Sequence, residues 1–348
     1  MANIDKHTIN CNEPLTVALR MLNSLGTELT LFVVNEKKEL LGAVTDGDIR
    51  RGLLNDLETT DEISKFMQGE FHFLQHNQQN VKDIAKAKKK GIQMLPVINE
   101  KKHIIRIIDF NFHKSVLPLD VVIMAGGEGV RLRPLTDQLP KPLLKIGNKP
   151  IIEHGIDRLI QFGIENITIS INYLGDKIIE YFGNGERKNI QINYIRETQK
   201  LGTAGSISLI SDFRNDHVLV MNSDLLTNID LESFFNEYEE KNADMSIACV
   251  PYTVNVPYAI LDIDNDNVLS LKEKPTFSYY SNAGIYLIRK EHIKKIPKDT
   301  YFNATDLIDM LIAEGKRVTH YPLLEYWLDI GNMSDFNKGQ NDIKHIKF

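Results

Sequence analysis

Cysteine is nearly absent from this chain: there are two in 348 residues, Cys11 and Cys249, far apart in sequence. Such a pair supplies neither a disulfide framework nor metal-ligand spacing, and it fits a reducing cytoplasm. Long apolar runs are missing too. The opening MANIDKHTIN has no apolar stretch of the signal-peptide kind, and Val121 to Ala125 is far too short to span a bilayer. A soluble, cytoplasmic protein with no membrane partner is expected. There is no excess of positive charge: 41 Lys and Arg against 47 Asp and Glu leave a net −6, which argues against a general nucleic-acid binder. A polyanionic substrate must then be drawn by local cations, for which Arg131, Lys141 and Lys274 are the candidates. The cluster Lys86, Lys88, Lys89 and Lys90 lacks interleaved aromatics and reads as the solvated face of a helix. What remains is ordinary globular composition, 42% hydrophobic and 25% charged, in a chain long enough for two domains.

The most informative stretch is MAGGEGVRLRPLTDQLPKP, residues 124 to 142. An apolar run ends in a turn where Gly126, Gly127 and Gly129 can adopt backbone angles closed to residues with a Cβ, so that successive N–H groups turn toward phosphate oxygens. Arg131 and Lys141 bring charge to the same anion. Prolines 140 and 142 restrict the backbone on both sides of Lys141, leaving the ammonium little ordering entropy to lose. No Gly-Lys-Ser/Thr closes the turn, which argues against a P-loop, and neither a third glycine at dinucleotide-fold spacing nor an acidic strand end supports that alternative.

Compared with itself, the first third of the chain repeats. LFVVNEKKELLGAV from Leu31 matches LPVINEKKHIIRII from Leu95, each a β-branched run, a polar turn and a second apolar run. Helical spacing precedes both copies, at Val17, Leu19, Leu22 and Leu25 and at Val81, Ile84, Ala85 and Ala87. The unit predicted is helix, strand, turn, strand, twice over. With Gly42 to Arg50 closing its first copy, it resembles a tandem CBS pair, an α+β module over residues 1–115 with repeats at about 1–64 and 65–115. That resemblance implies Thr45 and Asp48 as contacts to an adenosine nucleotide. The other reading of the same two residues is a cap on the following helix, in a module that only pairs chains into a homo-oligomer. In the second copy Asp109 to Phe112 replace Thr45 to Asp48, so at most one such ligand site is expected.

From Val121 strand-like and helix-like segments alternate, which predicts an α/β, Rossmann-like, mainly parallel mixed sheet with helices on both faces and ligands at the carboxyl ends of its strands. Asp224 follows the run HVLVMN, and Asp329 lies in Tyr-Trp-Leu-Asp-Ile-Gly before a helix that Ser334 is placed to cap. Taken singly, each aspartate is more often a loop or capping residue than a metal ligand. Leu201-Gly202-Thr203-Ala204-Gly205 reads as the turn into a helix from about Thr203, and Lys272-Glu273-Lys274-Pro275 as a solvated charge run. His154 and Trp327 have no partner at catalytic spacing and read as structural.

In this order along the chain, these motifs resemble those of sugar-1-phosphate nucleotidyltransferases over residues 119–348, and in particular the mannose-1-phosphate guanylyltransferase-like members. The resemblance implies Mg²⁺ held by Asp224 and Asp329; nucleotide contacts from Gly126, Gly127, Gly129, Gly202 and Thr203; sugar contacts from Glu273 and Asn282; and catalytic charge from Arg131, Lys141 and Lys274. It also implies a nucleoside triphosphate and a sugar 1-phosphate as partners. Two positions depart from the family: Val130 stands where threonine is usual, and Ala259 where glycine is. CBS repeats ahead of such a domain resemble bacterial guanylyltransferases that make GDP-amino-sugars, including glucosamine-1-phosphate enzymes feeding nonulosonic (legionaminic) acid pathways, which implies GTP. A UTP- or dTTP-dependent enzyme and an inactive nucleotide sensor are the alternatives.

Overall fold

The computed structural model describes residues 3–26, 29–76 and 81–346. It forms two compact units, Met1–Val116 with Gln161–Gly163, and Leu117–Ile160 with Ile164–Phe348.

The first unit is built on the repeat. In the first copy β1 (Thr8–Asn10) pairs parallel with β2 (Thr30–Val34), which pairs antiparallel with β3 (Leu40–Thr45). The second copy repeats this with β4 (Leu74–Gln75), β5 (Met94–Ile98) and β6 (Ile104–Asp109). The shared Asn-Glu-Lys-Lys explains the hairpin turns. Asn35 Oδ1 accepts from the N–H groups of Lys37 and Glu39, and Asn99 Oδ1 from those of Lys101 and His103, while Lys38 and Lys102 take left-handed φ of 62° and 58°. Phe32, Leu40, Met94, Ile98 and Ile107 form a core common to both copies. Each copy thus holds a leading strand that the predicted unit lacked; two or three residues are too few to show a period. The helix Leu15–Leu25 buries Leu15, Ala18 and Leu22, so its inner face is turned from the predicted one and Leu19 points to solvent.

The second unit carries seven strands in one sheet: β7 (Leu119–Ala125), β10 (Asn166–Ile171), β11 (Gln191–Arg196), β12 (His217–Asn222), β14 (Met245–Asn255), β17 (Thr276–Arg289) and β18 (Val318–Pro322), in the order β11-β10-β7-β12-β17-β14-β18. β17 runs antiparallel to both its neighbours, and the other pairs are parallel. Three two-stranded pieces complete the set: β8 (Lys145–Ile146) with β9 (Lys149–Pro150), β13 (Leu225–Thr227) with β19 (Trp327–Asp329), and β15 (Ile260–Asp264) with β16 (Asn267–Lys272). Val121, Val122, Ile123, Ile167, Ile169, Ile171, Val218, Leu219 and Val220 are buried, the near-continuous apolar character of strands covered on both faces. The chain runs from β7 to β10 and β11 on one side and then crosses from β11 to β12 on the other side of β7, which opens a crevice beyond the carboxyl ends of these strands. Among the described residues no helix is long and apolar enough to cross a membrane.

Candidate active site

The glycine-rich turn leaves β7 straight into that crevice. Gly129 is left-handed, φ 64°, and starts a short 3₁₀ turn at Val130–Leu132; Thr136 Oγ1 donates to its carbonyl at 2.9 Å. A Cβ on Gly129 would sit 2.9 Å from Lys141 Cβ, so the glycine lets the lysine segment close against the loop. Pro140 and Pro142 hold Lys141 in a second 3₁₀ turn, Lys141–Leu143. The lysine side chain is only 12% exposed, and its ammonium bonds the Asp224 carboxylate and lies 3.9 Å from Asp329 Oδ1.

The two aspartates, distant in sequence, are brought together by a very short ladder. Asp224 follows β12; β13 pairs antiparallel with β19, with Leu225 opposite Asp329, and the Ile330 N–H donates to the Asp224 carbonyl at 3.0 Å. Asp224 Oδ1 and Asp329 Oδ1 are both buried and accept no hydrogen bond among the described residues. Burial, and then repulsion from Asp224, push the Asp329 carboxyl above its ordinary range against the opposing pull of Lys141 and Arg131. Paired carboxylates with unfilled oxygens are a donor set that suits Mg²⁺, which favours one or two carboxylates with phosphate oxygens and water. The Arg131 guanidinium lies beside the same loop, 3.4 Å from where a Cβ on Gly331 would stand.

A cavity of about 350 Å³ opens from this group; Gly126, Gly127, Lys141, Gly202, Thr203 and Asp224 are among its lining residues. The structure thus gathers six of the predicted residues around one space, with Gly129, Arg131 and Asp329 next to it. Others lie elsewhere. Glu273 and Lys274 are exposed on the turn between β16 and β17 and do not line the cavity. Asn282 spends its side chain on Tyr286 Oη and the Gly284 N–H, both at 2.9 Å. Gly202, φ 78°, is a close-approach position: a Cβ would meet the Phe302 carbonyl at 2.7 Å. Thr203 Oγ1 accepts from the Ala304 N–H at 2.9 Å, and the expected helix from Thr203 is instead a 3₁₀ turn at Gly205–Leu209. That loop is tied down by backbone bonds of Ala204 and Gly205 to Phe302, which replace helical ones. Helix Met333–Asp342 is capped by Asn332, whose Oδ1 accepts from the Asp335 N–H, and not by Ser334. Trp327 Nε1 donates to the Ala283 carbonyl and His154 Nε2 faces the Ile146 carbonyl, each holding backbone in place.

Sequence reasoning missed Glu197. It follows β11 at its carboxyl end, is 8% exposed, and lines the cavity; Ser170 Oγ donates to Oε1 at 2.7 Å and the Leu201 N–H to Oε2 at 3.3 Å. The signal for it was an acid at the end of a strand, four residues before the Leu-Gly-Thr turn.

In the first unit, Thr45 and Asp48 form a complete capping box at the helix Asp46–Leu54. Asp48 Oδ2 accepts from the Thr45 N–H at 2.8 Å and hydroxyl at 2.6 Å, and Oδ1 from Gln68 Nε2 at 2.9 Å and from Arg51. Burial pushes its carboxyl upward, but these bonds together hold it below the ordinary value. Both residues border a second cavity of about 470 Å³, along with Gln68, His72 and Lys90. Asp109, the counterpart of Thr45, accepts from the Asn111 N–H in a turn, and no helix follows directly.

The nucleotidyl transferase family model matches residues 120–345 and the CBS domain model residues 3–55. The chain is 31% identical over 233 residues to mannose-1-phosphate guanylyltransferase of Mycobacterium tuberculosis, covering 65% of this chain and 64% of that protein. It is 30% identical over 238 residues to UTP-glucose-1-phosphate uridylyltransferase of Synechocystis sp., covering 63% and 61%. It therefore spans under two thirds of the length of these curated relatives. The crystal structure of HddC from Yersinia pseudotuberculosis complexed with GMP-PN matches with a TM-score of 0.51 at 28% identity, over 65% of this chain and 99% of that one. With its glycine turn, paired aspartates and buried lysine set around one cavity, and with the family model covering nearly all of the second unit, the chain belongs to the nucleotidyl transferase family and carries a CBS domain ahead of it.

Proposed function

We propose that this chain transfers GMP from GTP to a sugar 1-phosphate, releasing pyrophosphate. The observation that carries the reading is the pair Asp224 and Asp329, each with an unfilled buried oxygen, facing Lys141 at a cavity floored by glycine. An oxygen of the sugar phosphate attacks the α-phosphorus while the bond from that phosphorus to the β-phosphate oxygen breaks. The nucleophile is already an anion, so positioning and charge stabilisation replace a general base. Asp224 and Asp329 would hold Mg²⁺, which supplies positive charge beside the α-phosphate when bound. Lys141 and Arg131 stabilise charge growing on the leaving pyrophosphate, and the N–H groups of Gly126 and Gly127 face the triphosphate. Glu273, Lys274 and Asn282 are assigned to the sugar phosphate on their motifs alone.

Guanine as the base is supported by the similarity to a guanylyltransferase and to a structure holding GMP-PN, and by Glu197. A carboxylate accepts from the adjacent N1–H and 2-amino donors of guanine, whereas uracil and thymine offer one N–H between two carbonyls. The similarity to a uridylyltransferase keeps UTP and dTTP as the competing substrates. We place the reaction in the cytoplasm, and assign to the CBS module the pairing of chains or the binding of an adenosine nucleotide in the cavity beside Thr45 and Asp48. The decisive assay is pyrophosphate release with Mg²⁺ from each nucleoside triphosphate against a panel of sugar 1-phosphates, with and without AMP or ATP. GTP should give the highest kcat/KM. Release from no combination would leave only the nucleotide-sensor alternative, and a UTP or dTTP preference would overturn the base assignment. An adenosine nucleotide that shifts neither rate nor melting temperature would leave the module with pairing alone.

A further inference from the structure

The cavity of the second unit carries more negative charge than positive on its walls. Its charged lining residues are Lys141 and Lys200 against Glu128, Glu197 and Asp224, two ammoniums facing three carboxylates. Lys141 is already bonded to Asp224, and Lys274 does not line the space at all. Mg²⁺ on the paired aspartates would offset Asp224 but not Glu128. Walls of that sign repel a triphosphate, so the cation the site can still redirect toward one is Lys200.

Glu128 is the odd member of the glycine turn, an acid placed between Gly127 and Gly129. Its two oxygens are divided: Oε1 lies 2.8 Å from the Lys200 ammonium, and Oε2 lies 3.8 Å from the Arg133 guanidinium. Lys200 reaches across from the loop after β11, which also carries Glu197 and Gly202, so its ammonium stands at the glycine turn although its backbone belongs to the facing wall. Among the described residues Glu128 is the one ion-pair partner of Lys200. The lysine side chain is 77% exposed and the glutamate 33%. Pairs so open to water contribute little and are easily broken, whereas an ammonium on a phosphate oxygen makes a short, charge-assisted bond to a more highly charged anion. Arg133 stays beside Glu128 to answer its charge once Lys200 has left.

We propose that Lys200 is a nucleotide-binding residue held in reserve: when a nucleoside triphosphate enters, its ammonium leaves Glu128 for an oxygen of the β- or γ-phosphate, and Glu128 turns to Arg133. This rests on the reading of the cavity as a nucleoside triphosphate site. It adds to that reading a cation that no motif marks, and an acid whose role is to keep that cation at the turn.

The test is isothermal titration of the full-length protein in Mg²⁺ with GTP, UTP and dTTP, followed by the monophosphate of whichever binds wild type most tightly. Lys200→Met should raise Kd for that triphosphate about tenfold and leave Kd for the monophosphate within about twofold, while Lys200→Arg binds both nearly as wild type does. Glu128→Gln should instead tighten triphosphate binding, about threefold, because the ion pair no longer has to be broken. That gain should shrink in the Lys200→Met background, where there is no pair to break. A field effect without exchange gives the reverse order, since Glu128 repels most when Lys200 is missing. A pair that only braces the two walls makes both single variants bind more weakly. Either of those patterns, an unchanged triphosphate Kd in Lys200→Met, or an equal loss of monophosphate binding overturns the inference while the triphosphate reading stands. Wild type that binds none of the three triphosphates removes both.

Discussion

Replacing Lys141 by methionine should make the protein bind a divalent cation more tightly while it stops turning over. The ammonium bonds Asp224 and stands 3.9 Å from Asp329 Oδ1, so it occupies the charge environment that a metal would need. At an effective dielectric near 20, two unit charges at that spacing interact by about 4 kcal/mol. The Asp329 side chain is 43% exposed, so solvent screening leaves a fraction of this. Taking about 1.4 to 3 kcal/mol as what survives, the Lys141→Met variant should bind a cation about tenfold to a hundredfold more tightly, since 1.4 kcal/mol is a factor of ten. Loss of the lysine also leaves Asp224 and Asp329 repelling each other with nothing between them, which adds to the gain. The measurement is a Mn²⁺ titration without nucleotide, following free ion by electron paramagnetic resonance, with pyrophosphate release measured in parallel. Lys141→Arg keeps the charge and should bind Mn²⁺ nearly as wild type does. Unchanged or weaker Mn²⁺ binding in the methionine variant, at an unchanged melting temperature, would refute the carboxylate pair as the metal site.

Four other outcomes follow from the local structure. Glu197→Gln keeps an acceptor for the Ser170 hydroxyl but loses the paired acceptors assigned to guanine, so kcat/KM for GTP should fall by about 10- to 100-fold relative to that for UTP; an unchanged ratio removes Glu197 from base selection. Gly202→Ala forces a Cβ to 2.7 Å from the Phe302 carbonyl at φ 78° and should cost about 1 to 3 kcal/mol, seen as a drop of several degrees in a thermal melt. Gly127→Ala, with nothing within 4 Å and no positive φ, should melt as wild type does. Because the Asp48 carboxyl is held below its unfolded value, its contribution is fully present above about pH 4 and is lost as pH falls through the folded value. Acid should therefore destabilise the first unit of wild type more steeply than that of Asp48→Asn, and equal slopes would contradict the hydrogen-bonded carboxylate.

Where a residue type alone restricts the backbone, the chain could be read directly. Gly129 and the prolines around Lys141 announce a constrained turn in any context, and the repeated Asn-Glu-Lys-Lys announces an Asx turn, because the hydrogen bonds concerned close within four residues. The meeting of Asp224 with Asp329 has no such local cause. It depends on β13 and β19, three residues each, too short to leave a period in the sequence, and so only the family's motifs pointed to it. Glu197 was hidden for a related reason: the bonds from Ser170 and Leu201 that aim its carboxylate come from another strand and from a loop.

The β15–β16 hairpin is the converse case: Val268 to Leu271 form a strand in a largely apolar run, yet all four residues face solvent. Apolar alternation reports only that a face is to be covered, never by what. Inside the sheet the cover is the chain's own helices and loops, as for Val122, Val218 and Val220 with Ile207, Leu307 and Leu311. Beyond the sheet, where β14 and β17 outrun their neighbours, no element among the described residues of the second unit is there to supply it. The same apolar pattern that marks a core inside the sheet therefore leaves exposed surface beyond it.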